Sequence, residues 1–397
     1  MSTLHRRASE WYEDNGSTAD AVRHALAAED FERVAGLVEL AWPAMSGSFQ
    51  SIAWLGWVKA LPDGLVHARP VLSVACAWAL LDGGELEAAE ARLQDAERWL
   101  EPIVDTSDRP EIPSAEACPE QSRRMVVVDE EQFRSLPASL ATARAYHAQA
   151  SGDVSSTVKY ARRALDLLPE VEHNERGSVT SLLALTYWAS GDLEAALQAF
   201  ADGMVSVDPL DAIVGTFVLA EISATLGHLH EAVNTCERAL QLATEHGDPM
   251  PIGTEDVYSG ISDLHREQGD LEAAAQDLAT GRKLGEQIEL PDWQYRWCIA
   301  QARLYETQGD LDGALDLLDE AERLYVRTPL PQVRPIAAMK ARVWARQGRL
   351  AEAQNWARER SLSASDDLSY LHEFEHITLA RVLIAQHRTC LLYTSDA

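Results

Sequence analysis

GDLEAA stands at Gly191–Ala196 and again, letter for letter, at Gly269–Ala274. Looser copies lie on either side: GELEAA from Gly84, GDVSST from Gly152, GHLHEA from Gly227, GDLDGA from Gly309 and GRLAEA from Gly348. Successive steps are 68, 39, 36, 42, 40 and 39 residues, one long and five near-regular. A period of this size marks a repeat array. Each glycine ends a helix in the left-handed conformation that a Cβ disfavours. The Asp that follows it at four copies opens a turn or caps the next helix. Five residues after the glycine comes a small residue: Ala89, Thr157, Ala196, Ala232, Ala274, Ala314 and Ala353. Seven before it comes another: Ala77, Ala145, Ala184, Ala220, Ser262, Ala302 and Ala341. Twelve after it stand Ala96, Ala164, Gly203, Ala239, Gly281 and Ala321. Small residues on facing helices predict a close crossing within each pair.

The expected fold is all-α: a tetratricopeptide-like antiparallel helix-pair solenoid, wound as a right-handed superhelix. The pattern resembles the tetratricopeptide repeat, which places an aromatic four residues before the glycine, as Tyr187, Tyr305 and Trp344 are here. Leu80, Ala148, Ser223 and His265 hold that place in other copies, and the period exceeds the usual repeat of about 34 residues. One pair cannot bury its apolar face alone, so stacking must supply the core.

With 397 residues, 46% of them hydrophobic, the chain can bury a large core. Its net charge of −29 repels a phosphate backbone, so direct nucleic-acid contact is not expected. The five cysteines, Cys76, Cys118, Cys236, Cys298 and Cys390, form no CxxC pair, which suits a reducing compartment. No stretch reaches 18 apolar residues, and the start lacks the apolar core of a signal peptide. A cytoplasmic location and no membrane contact are expected.

Along the chain, 1–68 reads as an N-terminal helical arm. Asn15-Gly16-Ser17-Thr18 separates two helices in it, and an apolar helix runs from Ile52 to Leu61. The first repeat is expected at 69–100. Residues 101–137 are polar and hold five prolines, and read as a mobile insertion that explains the long step. Repeats then run over 138–388. Residues 389–397 show no helical logic and read as a non-native tail, similar to translated sequencing-adapter read-through.

Three stretches resemble a known family. LHRRASEWYEDNGSTADAVRHALAAEDFERVAGLVE (Leu4–Glu39) and WLGWVKALPDGLVHARPVLSVACAWALLDGGELEAAEARL (Trp54–Leu93) are similar to the segment after the ATPase module in MalT-like regulators of the LuxR type. EFEHITLARVLIAQ (Glu373–Gln386) resembles the end of their repeat region. The resemblance implies a P-loop ATPase before this region and a helix-turn-helix after it. The chain contains neither a GxxxxGK[ST] phosphate loop nor a basic recognition helix. It is thus expected to be the sensor and oligomerisation region, a fragment of a longer protein. ATP is implied only for the missing module, and no cofactor for this segment. The implied partner is a small-molecule inducer or a protein or peptide segment, with self-association in the full-length protein. The alternative is a free-standing protein–protein adaptor.

Catalytic signals are weak, and no enzyme activity is expected. His372-Glu373-Phe374-Glu375-His376 matches HExxH, which would place two histidines on one helix face for zinc. Leu379 and Val382 stand where the extended motif needs Gly and His, so the stretch reads as repeat helix. There is no GxSxG elbow.

In such arrays the first helix of each pair lines a concave groove. Helical register points Ser181, Trp188, Phe217, Glu221, Ser259, Asp263, Arg266, Arg296, Arg303 and Arg342 inward. The later repeats are locally positive, and arginine forks suit carboxylate or phosphate. The alternative is that these arginines pair with neighbouring acids across repeats. Trp293 and Trp297, four apart, share a face with Tyr305. They suit either stacking on a flat ligand or inter-repeat core.

Overall fold

A computed structural model of the chain describes residues 1–48, 50–104, 125–288 and 292–395, with backbone alone at 101–104, 292 and 389–395. The described residues form helices joined by short turns, in two compact units. The first unit, Met1–Val171 with Arg327–Pro329, holds α1 (Ser2–Asp14), α2 (Thr18–Ala27), α3 (Phe31–Gly47), α4 (Ser51–Val58), α5 (Asp63–His67), α6 (Pro70–Asp82), α7 (Leu86–Val104), α8 (Glu130–Ala150) and α9 (Val154–Leu167). The second holds α10 (His173–Ser190), α11 (Leu193–Val205), α12 (Ile213–Thr225), α13 (Leu229–His246), α14 (Thr254–Gln268) and α15 (Leu271–Gly285). It continues with α16 (Asp292–Gln308), α17 (Leu311–Leu324), α18 (Ile336–Gln347), α19 (Leu350–Glu359), a 3-10 turn (Tyr370–His372) and α20 (Glu373–Ser395). Among the described residues no helix is long and apolar enough to cross a membrane.

All seven repeat glycines have φ between 73° and 89°. The residue after each donates its N–H to the carbonyl five positions back, as Asp192 does to Tyr187, Asp310 to Tyr305 and Arg349 to Trp344. This is the long bond of a Schellman cap. Asp153, Asp192, Asp270 and Asp310 then accept a backbone N–H from the first turn of the next helix. Every small residue five after the glycine is fully buried, and so, within 2% exposure, is every one seven before it. The helices of each pair cross where these two meet.

The register extends further than the glycine phrase. Gly16 has φ 76°, Ser17 donates to Tyr12, and Ser9 and Ala21 are fully buried at the same two offsets. Ser9 Oγ donates to the Ala21 carbonyl (2.8 Å), as Ser262 Oγ does to Ala274 (2.9 Å). The α1–α2 pair is therefore a repeat hairpin in which Thr18 replaces the usual Leu. One buried cluster runs from Ala21 to Ala143, joining the expected arm to the first repeat.

Most of the expected insertion lies outside the described residues. Its last part does not: Asp129 caps α8 by accepting the N–H groups of Glu131 and Gln132, and the helix carries on through Pro137. The proline forfeits one backbone bond there without ending the helix. Likewise α20 continues to Ser395, so helix extends into the stretch read as having no helical logic.

In the second unit, first helices stack on one another at α12/α14, α14/α16 and α18/α20. Between α16 and α18 this direct packing falls away, where the longer connection 325–335 intervenes. The unit's far end returns to its beginning. Tyr370 sits against Gly191, where any Cβ would lie 2.8 Å from the tyrosine's own, and its hydroxyl accepts from Trp188 Nε1 (3.3 Å). Arg334 in the 325–335 connection reaches Glu221 on α12 (3.1 Å).

One buried carboxyl opposes the fold. Glu255, at the start of α14, accepts from the Gly253 N–H, and burial, with Asp256 adding, pushes it up to about 8. The folded chain therefore keeps a proton that the unfolded chain releases near its ordinary value of 4.5. Stability should fall as pH rises from that value to about 8 and level off above it.

Gly309 has φ 89° with open space where a Cβ would stand, so Gly309→Ala should cost about 1 kcal/mol, from backbone conformation alone. Ala314→Leu, at a fully buried crossing, should cost about 1–3 kcal/mol from overpacking. Urea melts that rank the two in the opposite order would refute the crossing as the tighter constraint. Glu255→Gln should raise the melting temperature at pH 8.5 and change it little at pH 5. A pH-independent difference would mean that the carboxyl is not holding a proton.

Candidate functional site: an arginine-lined cavity on the inner face

Six residues before the last four repeat glycines, the first helices of the second unit present Glu221 (α12), Asp263 (α14), Arg303 (α16) and Arg342 (α18). The next 39-residue step reaches Arg381 on α20, although His387 has replaced the glycine. This column runs from acid to base along one face.

The bases are bound in part by the acids of the helix before. Arg303 pairs with Asp263, and Arg342 with Glu306. Arg346 reaches the same Glu306 (3.1 Å) and its carbonyl (3.0 Å). Arg296 grips Asp256 with two bonds (2.9 and 2.5 Å) and lies over Phe217. Arg266 holds Asp263 (3.1 Å) and Glu267 (2.6 Å) within its own helix. Inter-repeat pairing, the alternative reading of these arginines, thus holds for Arg296, Arg303 and Arg342, while Arg266 pairs within α14.

It does not balance. Helix α18, IAAMKARVWARQ, contains no acid, so it offers Arg381 nothing. Among the described residues Arg381 has no ion-pair partner, and the buried Nε of Arg342 has no hydrogen bond. Where α16 and α18 draw apart lies a cavity of about 440 Å³, lined by Arg266, Arg303, Glu306, Thr307, Arg342, Ala345, Arg346, Arg381 and Ala385. Five cations and one carboxylate face it. Burial pushes Arg303 down to about 10; Asp263 and Glu221 oppose this, while Arg334 and Arg266 add to it. It stays charged at neutral pH, inside a locally positive field.

The other expected groove residues are dispersed. Ser181 faces Gly203 on α11, within the pair crossing, because small residues there bring the helices close. Trp188 is buried and bonded to Tyr370, and Glu221 is bound by Arg334. Ser259 is buried and donates to the Glu255 carbonyl. Trp293 is buried against Gly285, and Trp297 Nε1 donates to the Leu278 carbonyl (2.9 Å). Both tryptophans therefore serve inter-repeat packing rather than an open stacking platform. Arg266, Arg303 and Arg342 are the expected residues that line the cavity. Arg346 and Arg381 were missed, although the 39-residue step points to Arg381.

The HExxH stretch is split. His372 belongs to the 3-10 turn and bonds Glu375 (2.9 Å), while His376 on α20 turns to the His372 carbonyl (2.9 Å). Among the described residues no group of three or more His, Cys, Asp or Glu could hold a metal ion. Cys76, Cys236 and Cys298 are buried, which pushes their thiols up to about 11, 12 and 11 and makes them poor nucleophiles.

Comparison with known proteins bears on this architecture. The serine/threonine-protein kinase PknK of Mycobacterium tuberculosis is 24% identical over 333 residues, 84% of this chain and 28% of the relative. The chain thus spans little more than a quarter of that relative's length. Among solved structures, a Rap protein complexed with competence and sporulation factor superposes with a TM-score of 0.59 at 12% identity, covering 96% of this chain and 98% of that one. The Rap conjugation gene regulator of plasmid pLS20, in complex with the Phr* peptide, gives 0.50 at 16% identity, covering 76% and 75%. At such identities these likenesses show the fold alone. The MalT-like TPR region matches residues 138–392. That match begins inside α8, takes in every later helix pair and covers well over half of the sequence, so the chain belongs to the MalT-like TPR region family.

Proposed function

We propose that this chain is the sensor region of a MalT-like transcriptional regulator, holding an inducer or a partner segment on the inner face of its second unit. It is non-catalytic in this reading and carries no cofactor of its own. ATP binding and DNA contact belong to other parts of the regulator, and self-association to the full-length protein. The arginine-lined cavity carries the proposal: five guanidinium groups converge on one space within a chain of net charge −29. Of the two Rap proteins of like fold, one is complexed with competence and sporulation factor and the other with the Phr* peptide, which supports a binding role for such an array.

The mechanism is a population shift. A ligand spanning α16, α18 and α20 sits across the break in direct stacking between α16 and α18. It therefore favours one arrangement of these helices over others by its differential contacts. A second reading, a protein–protein adaptor, draws on α20, where Ile377, Leu383 and Ile384 are about half exposed.

The test is thermal stabilisation of the purified chain by fractionated metabolite and peptide pools, run beside Ala345→Trp, which fills the cavity without changing charge. Stabilisation of the parent chain that vanishes in the variant is expected. Equal stabilisation of both, or of neither, would overturn the cavity as the sensing site.

A further inference from the structure

We propose that the cavity between α16, α18 and α20 takes a small organic polyanion bearing at least two phosphate or carboxylate groups, with Arg342, Arg346 and Arg381 as its anchors. This rests on the sensor reading above and names the class of ligand.

Three observations carry it. The first is stoichiometry. Arg342 and Arg346 share a single carboxylate, Glu306, and Arg381 has none among the described residues. Two positive charges are left over on facing helices, so one acid group would answer only part of the surplus. The second is geometry. A guanidinium presents a planar fork that matches a carboxylate or phosphate edge. Arg342 still has a buried Nε without an acceptor, so its fork is only partly used. The third is size and field. A cavity of about 440 Å³ lies in the range of small-molecule sites, roughly 300–1,000 Å³, and exceeds what one inorganic phosphate fills.

The field also selects against a large acidic partner. Salt screens exposed charges over about 8 Å at physiological ionic strength. A small anion inside the cavity therefore feels the arginines and little of the acidic surface that gives the whole chain its net charge of −29. An acidic protein would lay much of its own charge against that surface and be repelled.

Pyrophosphate and citrate serve as probes, titrated calorimetrically into the full chain, with inorganic phosphate as a single-group control. One-to-one binding of at least one probe is expected, weakened by added salt and at least tenfold tighter than inorganic phosphate. Arg381→Gln and Arg346→Gln should each weaken it about tenfold or more. Arg381 is exposed and has no ion-pair partner among the described residues, so its loss should leave the melting temperature unchanged. Arg358→Gln, on the exposed face of α19, should leave binding as it was. Pyrophosphate without citrate assigns phosphoryl groups; citrate without pyrophosphate assigns carboxylates.

Inorganic phosphate binding as tightly as either probe would overturn the multivalent ligand. Equal loss in Arg358→Gln would reduce the effect to diffuse charge and overturn the site. If neither probe binds while the pools still stabilise the parent and not Ala345→Trp, the polyanion class falls and the sensor reading stands.

Discussion

The close crossing of the two helices in each pair is the constraint on which the rest depends. It is made by one small residue seven before the glycine and one five after it, both buried to within 2% exposure in all seven copies. With only small side chains between them, the backbones come near enough for Ser262 Oγ to reach the Ala274 carbonyl and Ser9 Oγ the Ala21 carbonyl. The left-handed glycine and the Asp cap hold the turn so that the two small residues meet. A larger side chain at either offset would have to push the helices apart, and every later pair inherits that displacement.

Once the crossing fixes which face of the first helix is covered, the remaining faces are assigned by the helical period. The offsets six, three and two before the glycine fall together on the inner surface. The cavity lining follows those offsets closely: Arg303, Arg342 and Arg381 at the first; Arg266, Glu306 and Ala345 at the second; Thr307, Arg346 and Ala385 at the third. The site is thus a by-product of the repeat, given chemical character by the residues placed at three offsets.

The repeat itself was legible because glycine, Asp and the small residues are dictated by local backbone geometry. The Gly16 hairpin escaped notice because Thr18 replaces the apolar residue of the phrase, although its glycine and both small residues conform. Arg381 escaped for a similar reason, with His387 in the glycine's place. Ser181 was placed inward by register yet packs into a helix contact, because a few tens of degrees of rotation separate groove from interface; Trp293 and Trp297, which suited either a stacking site or inter-repeat core, take the second. The Tyr370–Trp188 and Arg334–Glu221 contacts join residues 182 and 113 apart. No local pattern encodes them, because they depend on how the pairs of this unit accumulate their turn.

The charge pattern of the inner face has a consequence that pairwise ion pairs do not show. Three of the cavity arginines draw their partner from the preceding first helix: Arg303 from α14, Arg342 and Arg346 from α16. A ladder offset by one repeat stays neutral only while every helix supplies an acid for the next. Helix α18 supplies none, so the positive charge it should have passed forward collects at α18 and α20. Arg381 is exposed, so water solvates its charge and the fold tolerates it at little cost. Stability therefore neither requires nor forbids an arginine at the end of the ladder. Surplus arginines around an open cavity make physical sense where a negatively charged ligand completes the last rung, and where its arrival draws together α16 and α18, which the fold does not stack directly.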